Sequence, residues 1–224
     1  MTIDLDAGTF SYLDSGGTGV PTVLLHALGR SAADWRPVFD RMPDRFRLVA
    51  LDMRGHGSSC RPGNYSFEAM RDDLEEFVDA LAFHRFNLIG HSMGATTSIL
   101  FAEQWPNRIR RLVLEDTPPP SGNDEIPAPP DRPSKPVDFD WAVAGAIVDQ
   151  LNRPDPRWWS DLGRISAPTL VVGGGESSFI DQDELLQTAN QIPEGSLITI
   201  EAGHHIHSTR PDEFVAATVT FLDD

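Results

Sequence analysis

The chain has 224 residues, enough for one domain with a single sizeable core, and its formal net charge is −16 at pH 7. Nucleic acid and anionic membranes repel such an acidic protein, so we expect neither as a partner. A single cysteine excludes an internal disulfide, and residues 1–20 lack the basic and apolar stretches of a signal peptide. No apolar run is long enough to span a bilayer. We therefore expect a cytoplasmic protein.

The first half of the chain alternates predicted strands and helices. Residues 2–5 and 9–13 favour a hairpin at a sheet edge, and the apolar runs at 22–26 and 48–51 are typical of buried parallel strands. A helix is predicted between these two runs, where Ser31 and Asp34 form a capping-box pattern before an apolar face. A longer helix is predicted over residues 66–83.

Residues 90–94 read Gly-His-Ser-Met-Gly, between an apolar run at 86–89 and a small-residue helical stretch at 95–102. This pattern predicts a strand, a sharp turn and a helix, with Ser92 at the tip. A nucleophile elbow needs small residues two positions on either side of the serine, because side chains there would collide with the neighbouring strand and helix. Gly90 and Gly94 fill both positions.

Further buried strands are predicted at 112–114, 169–172 and 197–200, and Pro211 opens a final helix. Strands that alternate with helices of this length predict a mostly parallel sheet with helices on both faces, an α/β fold.

One stretch interrupts this alternation. Residues 118–136 contain eight of the eighteen prolines, which excludes a helix or a central strand, and an amphipathic helix follows over 140–151 before Trp158 and Trp159. We predict a core of residues 1–117 and 165–224 and a short lid of residues 118–164 over a pocket. The alternative is a disordered linker followed by a packing helix.

Four separated motifs occur in an order that resembles the alpha/beta-hydrolase superfamily, specifically its small esterase-like and C–C-hydrolase-like branch. They are His-Ala-Leu-Gly at 26–29, Asp-Met-Arg-Gly-His-Gly-Ser-Ser at 52–59, the elbow at 90–94, and Ala-Gly-His-His-Ile-His at 202–207 before the final helix. The resemblance covers nearly the whole chain. It implies a central, mostly parallel sheet flanked by helices, with a reduced lid.

A serine hydroxyl is a poor nucleophile until a histidine accepts its proton, so Ser92 needs a base. The resemblance places that base at His204, directly after Gly203. His207 is expected to line or brace the site, and His205 to be packed or solvated. These three histidines cannot easily all face one ion from a single short loop, so we expect no metal.

The oxyanion of an attacked carbonyl needs two N–H donors. The elbow supplies the amide of Met93, and the resemblance places the second donor at Leu28. The residue before it, Ala27, stands where the family usually has a glycine. We also predict that four side chains contact the substrate: His26, His91, Trp158 and His207. His91 and His56 lie beside motif glycines, so a buried structural role is the alternative for both.

The carboxylate that orients His204 has two candidates. Glu176 follows the strand at 169–172, in the usual position of the acid in this superfamily, and Asp116 ends the preceding strand. We favour Glu176. Isosteric substitution of each candidate distinguishes them, because only the true acid holds the imidazole in the correct tautomer.

The glycines at 173–175 lack the Lys-Ser or Lys-Thr pair of a P-loop and the spacing of a dinucleotide fingerprint, so no nucleotide cofactor is expected. We predict a cofactor-free serine hydrolase that cleaves a small, fairly apolar ester, thioester or lactone through an acyl-enzyme on Ser92. The alternatives are a C–C bond hydrolase or a cofactor-free lyase with the same triad, and a non-catalytic ligand-binding relative.

Overall fold

The computed structural model describes residues 1–122 and 125–224, which form an eight-stranded sheet with helices on both faces. The strands are β1 (Thr2–Leu5), β2 (Gly8–Asp14), β3 (Val20–Leu25), β4 (Phe46–Leu51), β5 (Phe86–His91), β6 (Ile109–Glu115), β7 (Thr169–Gly173) and β8 (Gly195–Thr199). Their order is β1-β2-β4-β3-β5-β6-β7-β8. The β1–β2 and β2–β4 pairs are antiparallel and the others are parallel, which confirms the predicted fold class.

Helices cover both faces of the sheet. They are α1 (Arg36–Phe39), α2 (Phe67–Ala80), α3 (Met93–Gln104), α4 (Trp141–Asn152), α5 (Arg157–Ser160), α6 (Gln182–Gln191), α7 (Ile206–Thr209) and α8 (Pro211–Asp223). Side chains alternate across a strand, so Val23 and Leu25 of β3 join the core beneath α2 and α3, and Leu24 joins the core beneath α1 and α8. Each continuous apolar strand therefore serves two cores.

One predicted helix differs from that observed, and a second is confirmed but ends earlier, at Ala80. After Ser31 the chain forms a 3₁₀ turn, Ala32–Trp35, and then only one α-helical turn, and the Ser31 side chain makes no cap. Pro37 lacks the N–H that would bond back to the preceding turn, which favours this tighter start. The helix predicted over 66–83 is α2, which begins after Ser66, whose hydroxyl accepts a hydrogen bond from the Ala69 N–H at 3.0 Å.

The motif at residues 52–59 holds the loops near the strand ends together. The Asp52 carboxylate accepts hydrogen bonds from the N–H groups of Ala32 (2.7 Å) and Ser58 (3.1 Å). Arg54 donates two hydrogen bonds, of 2.5 and 2.6 Å, to Asp73 of α2. The side chains of Asp52, Arg54 and Asp73 are buried, so the charged groups of this motif have a structural role.

Tryptophans tie the described part of the proline-rich segment to α4 and α5. Trp159 donates to the carbonyl of Pro120 at 3.2 Å, and Trp141 donates to that of Pro130 at 3.1 Å. Residues 123 and 124, within the predicted lid, lie outside the described residues. The division into a core of 1–117 and 165–224 and a lid of 118–164 stays a prediction. None of the helices described here combines the length and apolar character needed to cross a membrane.

Candidate active site

Ser92 occupies the tight turn between β5 and α3, with φ of 51° and ψ of −119°. The two glycines flanking it have no room for a side chain. A β-carbon at Gly90 would lie 2.5 Å from the carbonyl oxygen of Gly94, and one at Gly94 would lie 2.3 Å from that of Leu25. The residue pattern of a nucleophile elbow therefore coincides with its geometry.

His204 is paired with Asp116. Its Nδ1 donates to Asp116 Oδ2 at 2.9 Å, and the carboxylate also accepts hydrogen bonds from the N–H of Gly174 (2.7 Å) and the hydroxyl of Ser178 (2.5 Å). Burial opposes ionisation of Asp116, but the hydrogen bonds from His204, Ser178 and Gly174 outweigh it and lower the pKa of this carboxyl. A carboxylate at Nδ1 leaves Nε2 of His204 as the basic nitrogen.

Our preference for Glu176 is wrong, because the structure places Asp116 beside His204. Asp116 follows β6, next to the elbow strand β5, and has a φ of 47° where the chain leaves the carboxyl end of that strand. Glu176 is exposed and lies beyond a turn at Gly175, whose φ is 74°. The glycines at 173–175 instead hold the loop before His204 in place, since the Gly174 carbonyl accepts hydrogen bonds from the N–H groups of Ala202 and Gly203.

The residue before Ser92, His91 at the end of β5, contacts His204. The Nε2 of His91 donates to the backbone carbonyl of His204 at 2.7 Å, and the two rings lie 4.7 Å apart. Within the described residues Ser92 Oγ forms no hydrogen bond with His204. His91 is fully buried, and burial lowers its pKa to about 4. The prediction that His91 contacts substrate is therefore wrong, and its structural alternative holds.

His207 is also too deeply buried to contact a substrate. Its Nδ1 donates to the buried Glu115 carboxylate at 2.7 and 2.9 Å, and its ring stacks on Trp35 at 4.2 Å. Burial opposes protonation of His207, but the Glu115 and Asp34 carboxylates outweigh it and raise its pKa to about 9. Of the two roles expected for His207, lining the site or bracing it, the contacts with Glu115 and Trp35 favour bracing of the loop that carries His204.

His26 and His56 hold the loop that contains Leu28. Nε2 of His26 accepts a hydrogen bond from the N–H of Met53, and Nε2 of His56 accepts one from the N–H of Gly29, both at 3.1 Å. Nδ1 of His26 donates to the Ala27 carbonyl at 2.8 Å. His26 is fully buried with both nitrogens occupied, so its predicted contact with substrate is wrong.

These two histidines make the fold sensitive to acid. Burial lowers the pKa of His26 from 6.5 to about 3 and that of His56 to about 4. The folded state holds these two histidines in their neutral form, and the resulting stabilisation is complete above pH 6.5. It is lost as the pH falls towards these pKa values, by up to about 1.4 kcal/mol per pH unit for each histidine. We expect the unfolding free energy, measured with urea from pH 7 to pH 4, to fall accordingly.

A matched pair of variants tests this acid sensitivity. His56→Gln should make the dependence of unfolding free energy on pH shallower, whereas His84→Gln, which changes an exposed histidine, should leave it unchanged. An unchanged slope in His56→Gln would contradict the assignment.

A cavity of about 460 Å³ opens above Ser92. Its apolar wall comes from the Leu28 loop, the elbow, the proline-rich segment, helices α2 and α4, and the loop between β7 and α6: Leu28, Phe67, Met93, Pro118, Pro119, Pro120, Ile126, Ile147, Leu151, Phe179 and Ile180. Polar lining residues are Ser92, Thr96, Thr117, Ser121, Asp181 and Glu184. The lining described by the structure includes no lysine, arginine or histidine.

Trp158 does not line this cavity. It is buried behind Phe67, with the two rings edge-to-face at 5.5 Å, so its predicted contact with substrate is wrong. The side chains that do cover the cavity include Phe179, whose ring lies 4.4 Å from that of His204. Sequence reasoning missed Phe179 and Ser178, because both lie in an irregular loop where neither periodicity nor a motif distinguishes them.

The segment that contains the elbow matches a known protein family. The model of the family described as alpha/beta hydrolase fold matches residues 20–136, more than half of the chain. The chain belongs to the alpha/beta hydrolase family. This alpha/beta hydrolase carries the elbow serine and the His204–Asp116 pair in the loops that follow β5, β6 and β8.

Curated relatives of this alpha/beta hydrolase differ in activity. It is 26% identical to the sn-1-specific diacylglycerol lipase ABHD11 of Mus musculus, over 96% of this chain and 84% of the lipase. It is 37% identical to the 2-hydroxy-6-oxo-2,4-heptadienoate hydrolase of Pseudomonas putida, over 49% of this chain and 42% of that enzyme. The enol-lactonase of Burkholderia xenovorans superposes with a TM-score of 0.84 at 21% identity, covering 100% of both chains, which shows the shared fold.

Proposed function

We propose that this chain is a serine hydrolase that cleaves small, uncharged and largely apolar carboxylic esters, thioesters or lactones through an acyl-enzyme on Ser92. The observation that carries the proposal is the elbow serine in the lining of a largely apolar cavity, with the preceding residue, His91, bonded to the carbonyl of His204, whose Nδ1 is held by a buried carboxylate. No metal or organic cofactor enters the proposed reaction.

In the proposed reaction His204 Nε2 accepts the proton of Ser92 as Oγ attacks the substrate carbonyl. The same nitrogen returns that proton to the leaving alcohol or thiol, and later activates the water that releases the acid. Asp116 keeps Nδ1 protonated and stabilises the imidazolium that forms. Hydrogen bonds between serine and histidine are often loose before substrate binds, consistent with their absence between Ser92 and His204.

The negative charge on the carbonyl oxygen would be stabilised by the N–H groups of Met93 and Leu28. Met93 is the first residue of α3, where an N–H has no acceptor within the helix and the helix dipole favours an anion. Leu28 lies in the loop held by His26 and His56, on the cavity wall. A donor fixed before the reaction stabilises the oxyanion without reorganisation.

Removing the Leu28 donor gives a direct test. Leu28→Pro should lower turnover of the smallest ester by roughly 10²-fold or more, the typical effect of losing one oxyanion donor. Leu28→Ala keeps the N–H and should change the preference among acyl groups more than the turnover of that ester. Full turnover in a folded Leu28→Pro protein would show that this amide is not a donor.

The cavity supports an uncharged substrate. Its charged lining residues are Asp181 and Glu184, both acidic, and no basic lining side chain is described that could pair with a carboxylate. A buried or half-buried anion without a partner is costly to bind. The relative that acts on a heptadienoate, by its name, has a carboxylate substrate, so this lining favours ester chemistry over C–C bond hydrolysis for this chain.

The experiment that tests the proposal is stopped-flow hydrolysis of chromogenic esters with short, neutral acyl chains. We expect a burst of chromophore equal to the enzyme concentration, followed by slower turnover, because the acyl-enzyme accumulates. Matched esters with a terminal carboxylate on the acyl chain should react with a lower kcat/KM. No reaction across the neutral series would contradict the proposal, and a preference for the carboxylate series would contradict the assigned substrate class.

A further inference from the structure

A second cluster of polar side chains lies behind the elbow, in the core beneath α1 and α8. Asp34 Oδ2, His91 Nδ1 and His207 Nε2 lie within 4.8 Å of one another. Each of the three atoms is buried and lacks a hydrogen-bond partner among the described residues. Both histidines are fully buried, so the cost of these unpaired atoms is not relieved by bulk water.

Each histidine ring of the cluster is held by a hydrogen bond at the nitrogen that points away from Asp34. His91 Nε2 donates to the carbonyl of His204, and His207 Nδ1 donates to Glu115. The ring of His91 therefore directs a lone pair into the cluster, and His207 does so once a metal ion displaces the Nε2 proton that faces Asp34. Histidine ligands of metal ions are typically held in this way, by a carbonyl or a carboxylate at the other nitrogen.

The charge of the surroundings also favours a cation. Asp34 and Glu115 are the carboxylates in contact with His207, and Glu115 is completely buried. A divalent ion that replaces the Nε2 proton of His207 meets the negative charges of both carboxylates, which it neutralises as the proton leaves to solvent. The Asp34 side chain is 18% exposed, so the cluster lies close to the surface on this side.

We propose that Asp34, His91 and His207 form a binding site for a divalent transition-metal ion, Zn²⁺ in the first place. Two imidazoles and one carboxylate are a common donor set for Zn²⁺, and a water completes the tetrahedron. His207 Nε2 and Asp34 Oδ2 are 3.4 Å apart, without hydrogen-bond geometry. That separation matches the edge of a tetrahedron with bonds of about 2.1 Å.

This donor set differs from the three-histidine loop that sequence reasoning rejected. Its ligands come from three separate segments: the turn after the Leu28 loop, the last residue of β5, and the start of α7. Each segment also carries or adjoins part of the candidate active site. The ion therefore has a structural role, joining the segments that carry Leu28, Ser92 and His204.

The test uses the full chain after removal of metals with a chelator, titrated with Zn²⁺ in competition with a chromogenic chelator. We expect one equivalent to bind and to raise the midpoint of thermal unfolding. Co²⁺ should bind the same site and give the visible absorption of a tetrahedral complex. Asp34→Asn should weaken Zn²⁺ binding by at least about tenfold, since even the loss of a supporting contact to a ligand costs that much.

Two controls separate this site from other histidines. His205→Ala, in the same loop, and His204→Ala, which removes the base of the proposed reaction, should both bind Zn²⁺ as the unaltered chain does. If Asp34→Asn does not fold, His91→Gln replaces it with the same expected loss. The proposal is overturned if no equivalent binds, if Asp34→Asn and His91→Gln both bind normally, or if His204→Ala abolishes binding.

Discussion

Ser92→Ala should lower the turnover of short-chain esters by roughly 10⁶-fold, the scale seen when a serine hydrolase loses its nucleophile. Alanine retains the β-carbon and the backbone of the elbow but cannot form the acyl-enzyme. A fluorophosphonate probe, which reacts with activated serines, should label the unaltered protein and leave this variant unlabelled. The residual rate reports the contribution of the oxyanion donors and of binding.

The matched control for this substitution is Ser208→Ala, which removes an exposed hydroxyl from α7, the turn of helix that follows the His204 loop. It should keep both labelling and turnover. Labelling of Ser92→Ala at the rate of the unaltered protein would identify a different nucleophile and would remove the basis of the acyl-enzyme.

Asp116→Asn should reduce turnover by roughly 10³- to 10⁴-fold, because an amide at this position favours the wrong tautomer of His204. The amide also cannot supply the negative charge that stabilises the imidazolium. The loss should appear mainly in kcat, since Asp116 is buried behind the histidine and is not part of the cavity wall. Steady-state kinetics with one neutral ester measures it.

Glu176→Gln is the companion variant, because it makes the same chemical change at the alternative strand end. This side chain is exposed, so we expect turnover within about twofold of the unaltered enzyme, as for most surface substitutions. Large losses in Glu176→Gln together with normal turnover in Asp116→Asn would reverse the assignment of the acid.

The sequence is sufficient to predict the sheet and the elbow because both depend on local patterns. Continuous apolar runs predict strands buried on both faces, and β3, with one side chain in one core and two in the other, shows why. The elbow is equally local, since Gly90 and Gly94 are needed by contacts within the same strand, turn and helix or with the adjacent strand.

The acid could not be predicted in the same way because its position depends on which strand ends meet. Both candidates follow a parallel strand, and the sequence contains no direct information on the register between β6 and β7. The deciding contacts are the hydrogen bonds from Gly174 and Ser178 to Asp116, which join segments about sixty residues apart in the chain. A glycine run and a loop serine carry no recognisable signal for such a role.

The histidines illustrate a second limit. His26, His91 and His207 stand beside motif residues, and their positions alone do not say whether each ring faces the cavity or the core behind the loop. In the structure all three face the core, where they hold backbone groups or a buried carboxylate. Side-chain direction in a turn is set by dihedral angles that have no periodicity.

The left-handed backbone at Ser92 and Asp116 also sets a limit on how this protein can be stabilised. Non-glycine residues held in sparsely populated backbone conformations cost about 1–3 kcal/mol each, and these two, at φ of 51° and 47°, belong to the proposed triad. A screen that selects variants for heat resistance alone would favour glycine at these positions and enrich inactive proteins. Laboratory evolution of this chain therefore needs selection for turnover in every round.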